Sequence, residues 1–205
     1  MELNSIVKKL IVNEGVFAPA EVSIALAKAA FEYNGKFLDL GTGSGFITIA
    51  LSQNNFVGDA SDLSKMAIIC SEANFSKFEI QKKTIRSDFY SNIPGKYDLI
   101  LYNPPMNTNE TESDRRIKSL VKKHLPKKIC ACLSSFYQII HSGKRKTGFK
   151  DFIEQTRLHL EENGVLLMIM LQSDIDWLNK ISDKSYQITI KRNVKKFKVV
   201  EIIFH

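Results

Sequence analysis

Four consecutive residues, Asn103-Pro104-Pro105-Met106, carry the most specific chemistry in this sequence. They directly follow the apolar run Tyr97 to Tyr102. Two adjacent prolines fix φ and offer no N–H, so the chain must leave that run with carbonyl groups unpaired and aimed outward. The side-chain amide oxygen of Asn103 and the carbonyl of Pro104 then make two acceptors for a single NH₂ group. Such a pair orients a planar amino or amide nitrogen as a nucleophile. It also stabilises the positive charge that nitrogen gains, so no strong general base is needed before attack. An Asn-Pro turn is by itself a common structural device, and its meaning depends on what precedes it.

Upstream lies Leu38-Asp39-Leu40-Gly41-Thr42-Gly43-Ser44-Gly45, placed between a short apolar strand and a helical pattern. Glycines at alternate positions let the backbone turn tightly and approach a ligand without a Cβ in the way. The spacing is Gly-x-Gly-x-Gly with Phe46 next, unlike the Gly-x-Gly-x-x-Gly of dinucleotide sites, which disfavours a pyrophosphate cofactor. Acidic residues end the next strands. Asp62, before Leu63-Ser64, is placed to accept from both hydroxyls of a ribose, with Asp59 as a competitor. Asp88 could accept from an adenine amino group while Phe89 or Leu63 packs on the ring. Each acid alone reads as a loop carboxylate; three acids ending three successive strands form a set. Beside such a set, Asn103 and Pro104 suit a nitrogen poised to attack a methyl sulfonium.

The elements that must position these residues alternate. Helical patterns at about Ser5 to Val12 and from Pro19 or Glu21 lead in. The strand Lys36 to Asp39 and the helix Ser44 to Gln53 follow, then the strand Phe56 to Ala60 and the helix Ser64 to Phe75. Lys83 to Arg86 and Tyr97 to Tyr102 read as further strands. Helices are expected around Arg115 to Lys123, Lys127 to Ile140 and Phe149 to Leu160. Gly164 to Leu171 reads as a strand and Asp174 to Ile181 as a short helix, with Tyr186 to Lys191 and Phe197 to Phe204 as a closing antiparallel pair. Strands alternating with helices predict an α/β, Rossmann-like, doubly wound sheet, mostly parallel and covered on both faces, whose strand carboxyl ends form the ligand edge. No repeat or linker divides the sequence. The expectation is therefore one domain over residues 1–205, with a basic, helical insertion at about 107–148.

The net charge of +7 is concentrated. Between Asn107 and Lys150 stand Arg115, Arg116, Lys118, Lys122, Lys123, Lys127, Lys128, Lys144, Arg145, Lys146 and Lys150, against Glu110, Glu112 and Asp114. This segment, chiefly residues 115–150, reads either as an electrostatic footprint for polyanions, RNA first among them, or as a solvated helical face. Residues Met1 to Val16 include Lys8, Lys9 and Glu14 and so lack the apolar stretch of a secretory signal. Val165 to Leu171 is too short to cross a bilayer. A soluble, cytoplasmic protein with no membrane association is expected. Cys70, Cys130 and Cys132 are an odd set with no ligand spacing, which predicts reduced thiols and no metal. His124 and His141 receive no catalytic role, and Trp177, like Tyr137 and Phe136, suits packing.

Taken together, these motifs resemble the class I methyltransferases that carry Asn-Pro-Pro-aromatic after the fourth strand, a group that includes release-factor glutamine methyltransferases and ribosomal and transfer RNA base methyltransferases. The resemblance covers Gly15 to Leu101 and the Asn-Pro-Pro turn well, Phe149 to Leu171 less closely, and the basic segment hardly at all. It implies S-adenosyl-L-methionine as cofactor, with S-adenosyl-L-homocysteine as product. Asp39, Gly41 and Gly43 would surround the methionine part, with Thr42 and Gly45 of the same loop also in the cofactor set; Asp62 would hold the ribose and Asp88 the adenine, with Phe89 or Leu63 on its ring. Asn103, at the junction of cofactor and acceptor, would hold the target nitrogen with Pro104, followed by Pro105 and Met106. Gly15-Val16-Phe17-Ala18-Pro19 resembles the segment those enzymes place over the cofactor, so Phe17 and Pro19 join the set, although a helix entry with proline near the first turn reads as well.

Two departures bear on the substrate. Met106 stands where the group has Tyr or Phe, and 107–148 is longer than the usual link. No counterpart of the separate amino-terminal helical domain of bacterial release-factor enzymes is expected from these residues. The expected activity is N-methylation of a base amino group in rRNA or tRNA, with a protein glutamine amide as the nearest alternative. A small-molecule methyltransferase and a non-catalytic binding subunit of the same fold are further ones.

Overall fold

In the computed structural model, residues 2–104, 145–181 and 185–205 are described. The parallel part of the sheet is built from β1 (Lys36–Leu40), β2 (Val57–Asp62), β3 (Thr84–Arg86), β4 (Tyr97–Tyr102) and β5 (Leu160–Leu171). β6 (Tyr186–Val194) and β7 (Phe197–Phe204) close it, in the order β3-β2-β1-β4-β5-β7-β6. β7 runs antiparallel to both β5 and β6. The helices are α1 (Leu3–Lys9), α2 (Glu21–Ala30), α3 (Phe46–Ser52), α4 (Lys65–Lys77), α5 (Arg145–Leu158) and α6 (Gln172–Ile181). This is the mostly parallel α/β sheet with an antiparallel closure that the alternating pattern predicts.

The described chain falls into two compact units, one formed by residues 1–103 with 154–205 and the other by 104–153. The whole sheet lies in the first. The expected helices Arg115 to Lys123 and Lys127 to Ile140 lie outside the described residues, as do Cys130, Cys132, His124, His141, Phe136 and Tyr137.

Apolar residues select the central strands. Phe37 and Leu38 of β1, Leu99, Ile100 and Leu101 of β4, and Leu166 to Ile169 of β5 are buried. Removing each such side chain from water is worth about 1.5–3 kcal/mol. Register then fixes the working edge. Leu40 pairs with Ser61 on one side and Tyr102 on the other, Asp62 pairs with Arg86, and Tyr102 pairs with Met168. Four successive strand-to-loop turns therefore open at one edge.

Several boundaries move from the sequence reading for local reasons. β5 begins at Leu160 rather than Gly164, because Leu160 pairs with Tyr97 and the strand slips past a bulge before Val165 pairs with Leu99. That pairing takes Leu160 out of α5, which ends at Leu158. β6 runs on to Val194 through its ladder with β7, three residues beyond the apolar pattern. α1 spans Leu3–Lys9 instead of Ser5 to Val12, since the Leu10 backbone turns extended.

One buried amide ties the segment after α1 to the glycine loop. Asn74 of α4 is fully buried; its Oδ1 accepts from the Ile11 N–H at 2.8 Å, and its Nδ2 donates to the Ile11 carbonyl at 2.7 Å and the Ser44 carbonyl at 2.9 Å. Replacing it takes these partners from the Ile11 N–H and the Ser44 carbonyl and leaves the Ile11 carbonyl only the Cys70 thiol, 3.3 Å away. Asn74→Ala is expected to lose about 2–4 kcal/mol of stability in urea denaturation, and Asn74→Asp, which keeps the acceptor and loses both donors, to lose nearly as much.

Candidate functional site: the carboxyl edge of the sheet

The site begins at Asp39, near the end of β1. Its side chain is buried, and its Oδ2 accepts from Thr42 Oγ1 at 2.6 Å, Thr48 Oγ1 at 2.7 Å and the Thr48 N–H at 3.1 Å. One carboxylate oxygen thereby joins the strand, the Gly41–Gly45 loop and the first turn of α3. Asp39 and Thr42, both placed by the sequence reading around a ligand, spend these bonds on the shape of the loop. Thr48, unremarked in the sequence, is the third member. A threonine three residues into the helix after the loop is the signal that would have found it.

The three glycines of the loop differ in what they do. Gly41, Gly43 and Gly45 all have positive φ, at 72°, 58° and 82°. A Cβ on Gly43 would meet no atom within 4 Å, and one on Gly41 would meet only Tyr102 Cε2, at 3.6 Å, so their outer side faces open space. A Cβ on Gly45 would lie 2.7 Å from Phe75 Cε1 of α4. Gly45 is required for packing the start of α3 against α4, whereas Gly41 and Gly43 leave room for a ligand at the backbone.

Asp62, the last residue of β2, faces the same loop. Its Oδ2 accepts from the Gly43 N–H at 3.0 Å and its Oδ1 from the Ser64 N–H at 2.8 Å. Ser64 caps α4, as its position predicts, by accepting from the Ala67 N–H at 3.4 Å. Each carboxylate oxygen of Asp62 keeps a lone pair for a further donor. Asp59, the competitor, is excluded by placement. It lies back along β2, paired with Lys36 at 2.9 Å and accepting from Tyr97 Oη at 2.8 Å.

Asp88 lies two residues beyond β3, exposed, its N–H held by Ser91 Oγ at 3.2 Å. Phe89 has φ 45° and packs edge-on against Tyr102, with ring centroids 6.1 Å apart. Leu63 is half-buried at the turn beside Asp62. Pro19 is half-buried and Phe17 is 62% exposed, on the segment leading into α2.

Asn103 follows β4 and is held by a residue that the sequence reading missed. Its Nδ2 donates to Ser23 Oγ of α2 at 3.1 Å, and Ser23 Oγ also accepts from the Ala20 N–H at 3.3 Å. Ser23 is buried, so the amide's NH₂ side is committed to the protein interior. A serine at the third position of a helix without a side-chain N-cap would have been the clue. Pro104 is buried at the start of the second unit, while Pro105 and Met106 lie outside the described residues.

The structure thus gathers Asp39, Gly41, Gly43, Asp62 and Asn103 at one edge, with Phe89 and Tyr102 beside them. Among the described residues no group of His, Cys, Asp or Glu could hold a metal ion, and no helix is long and apolar enough to cross a membrane. Buried Cys70 is a free thiol.

The methyltransferase small domain model matches residues 8–126. The chain belongs to the methyltransferase small domain family. A putative protein N5-glutamine methyltransferase of Methanocaldococcus jannaschii is 28% identical over 195 residues, covering 91% of this chain and 89% of that protein. Ribosomal RNA small subunit methyltransferase C of Buchnera aphidicola is 42% identical over 78 residues, 37% of this chain and 23% of that protein. Release factor glutamine methyltransferase of Streptococcus pneumoniae is 38% identical over 85 residues, 40% and 30% of the two chains. The chain therefore matches about a quarter to a third of the length of the last two. The solved T. thermophilus 16S rRNA N2 G1207 methyltransferase, in complex with AdoMet and guanosine, superposes with a TM-score of 0.64 at 15% identity, over 93% of this chain and 46% of that one. A methyltransferase of Pyrococcus furiosus gives 0.66 at 13% identity, over 98% and 93%. Family and class I fold are those the sequence resemblance implied, and methyl transfer from S-adenosylmethionine is the chemistry of this small-domain family.

Two predictions follow from the loop. Gly45→Ala combines a left-handed φ with a clash and is expected to destabilise by about 2–4 kcal/mol, whereas Gly43→Ala costs about 1–2 kcal/mol of backbone strain alone, as read by thermal denaturation. Burial also holds the carboxyls of Asp39 and Asp62 above the ordinary range, against the lowering effect of their hydrogen bonds. The folded chain therefore keeps protons that the unfolded chain has released, and the contribution of both groups to stability falls as pH rises from about 4 upward. Asp62→Asn is expected to remove its part of that fall, seen in urea midpoints measured across the same range.

Proposed function

We propose that this chain is an N-methyltransferase whose acceptor is a planar NH₂ nitrogen, specifically a base amino group of RNA. The observation that carries the proposal is the orientation of Asn103. With its NH₂ committed to Ser23, its Oδ1 accepts no hydrogen bond from any described residue and is left for an incoming donor. An acceptor there takes one N–H of the incoming nitrogen, fixes the direction of its lone pair and stabilises the charge it gains. The carbonyl of Pro104, which follows directly, is the proposed second acceptor, and Pro105 and Met106, next in the sequence, complete the proposed acceptor motif.

The proposed cofactor site is consistent with this edge. Gly41 and Gly43 offer open backbone, Asp62 has acceptor capacity for ribose hydroxyls, and Asp88 with Phe89 and Leu63 borders the place of the adenine. Phe17 and Pro19 stand as candidates to cover it. S-adenosylmethionine supplies, when bound, a methyl group on a positively charged sulfur. The chain's own residues orient the two partners, and the proposed step calls for no strong base, since the nitrogen loses its proton only after it has gained the methyl group.

A protein glutamine amide is the second reading, favoured by one observation: the M. jannaschii relative matches over nearly the full length of both chains, whereas the ribosomal RNA relatives match over part. An amide and a base amino group present the same NH₂ plane to Asn103. Incubation with methyl-labelled S-adenosylmethionine and fractionated cell extract distinguishes them. Label in RNA nucleosides supports the proposal, label in glutamine supports the second reading, and label in neither overturns both.

Asn103→Ala is expected to lower kcat about 10²–10³-fold, the scale of losing one charge-stabilising partner, with affinity for S-adenosylhomocysteine within a few-fold of the parent. Ser23→Ala frees the amide to rotate and should lower kcat about tenfold, as one lost hydrogen bond implies, and Ser23→Thr should restore it. An Asn103→Ala enzyme as active as the parent would remove the basis of the proposal.

A further inference from the structure

We infer that the β6–β7 hairpin is an RNA-phosphate-binding surface beside the acceptor site, distinct from the basic segment at 107–148. The inference rests on the RNA reading above and extends it. Residues 191–198 read Lys-Arg-Asn-Val-Lys-Lys-Phe-Lys, with no acid from Lys184 to Val200. Because the chain outside Asn107 to Lys150 is close to neutral in total, this concentration is invisible in the charge count.

Topology carries this run to the working edge. β5 runs parallel to β4, with Met168 beside Tyr102, and continues to Leu171, which pairs with Phe197 at the start of β7. Val194 of β6 also pairs with Phe197. The turn holding Lys195 and Lys196 therefore lies at the same end of the sheet as Asn103, forward of it by three residues and to one side by two or three strands. Strand rise and spacing put the turn roughly 15 Å from Asn103, a distance a few nucleotides span. A side-chain tie supports the placement. Lys195 Nζ lies 2.8 Å from Glu21, in the first turn of α2, two residues before the Ser23 that holds Asn103.

The charges divide into two groups. Lys191 and Arg192 are neutralised at the base of the hairpin. Lys191 lies 3.1 Å from Glu32 and 3.9 Å from Glu201, and Arg192 lies 2.6 Å from Glu32. The tip is different. Lys195 pairs only with Glu21, both largely exposed, and such a pair is worth little in water. Lys196 lies over the ring of Phe197 at 5.7 Å, and Lys198 donates to Asn193 Oδ1 at 2.6 Å. These are neutral partners that leave the charges uncompensated. Between the hairpin and α2 runs an open groove of about 440 Å³, bordered by Glu21 and exposed Lys28 on α2 and by the neutralised Lys191 and Arg192 with Asn193 on β6. Lys195, Lys196 and Lys198, at the turn beyond the residues that border this groove, offer ammonium groups that suit a backbone of regularly spaced negative charges. A base held at Asn103 would bring its flanking phosphates to these lysines.

The test is the charge-reversed protein Lys195→Glu, Lys196→Glu, Lys198→Glu, with the milder Lys→Gln triple variant beside it. Each is titrated with fluorescein-labelled RNA from the fraction the parent methylates, or with total ribosomal RNA if none is labelled, at 50–300 mM salt. For three lost phosphate contacts the slope of log affinity against log salt should become shallower by about 2, using the single-strand coefficient. RNA affinity at the lowest salt should fall at least tenfold, with thermal midpoint and affinity for S-adenosylhomocysteine unchanged. Parent-like affinity and slope in both variants, with a parent that binds RNA, overturns the hairpin surface and leaves the RNA reading standing. A parent that binds no RNA and labels only protein overturns both.

Discussion

The geometry of this domain depends on one buried carboxylate oxygen. Asp39 Oδ2 gathers two threonine hydroxyls and a backbone N–H, and in doing so joins the end of β1, the glycine loop and the start of α3. Charge is costly to remove from water, and a buried carboxylate persists only when hydrogen bonds replace its hydration. Here that requirement shapes the loop: without the three donors the carboxylate would have to protonate or escape, and the glycine turn would lose its anchor. The loop's outer side, at Gly41 and Gly43, is open because its inner side is so firmly tied.

The same device recurs along the edge. Asp62 takes the backbone N–H groups of Gly43 and Ser64, joining the loop to the start of α4. Asn103 gives its NH₂ to Ser23, joining the turn after β4 to α2. In each case part of a polar side chain is used to fix a neighbouring element, and the rest of its hydrogen-bonding capacity is left for another partner. Preorganisation of this kind puts stabilising dipoles in place before charge develops.

Electrostatics complete the arrangement at longer range. The charge total draws attention to residues 107–148, yet the described structure carries its own basic feature in the β6–β7 hairpin. Glu32 and Glu201 neutralise the base of that hairpin and leave the tip charged. The antiparallel closure of the sheet has a consequence beyond edge protection: by reversing direction after β5, the chain returns its basic turn to the end where the parallel strands open.

Periodicity and motif made much of this legible. The alternation of strands and helices determined the doubly wound sheet, and the residue types at Gly41, Gly43, Asp62 and Asn103 marked the edge that matters, because close backbone approach and outward acceptors can be had from few residues. What the sequence could not decide were relations between elements far apart in the chain. Gly45 reads like the other loop glycines, but only packing against Phe75 shows that it serves α4. Asp59 and Asp62 are both plausible on β2, and only strand register puts one against Lys36 and the other beside Gly43. Ser23 lies eighty residues from Asn103 and carries no motif of its own. Leu160 joins β5 rather than α5 because Tyr97 offers it a ladder partner. Local spacing encodes which backbone shapes are allowed; which side chains meet is decided by the fold.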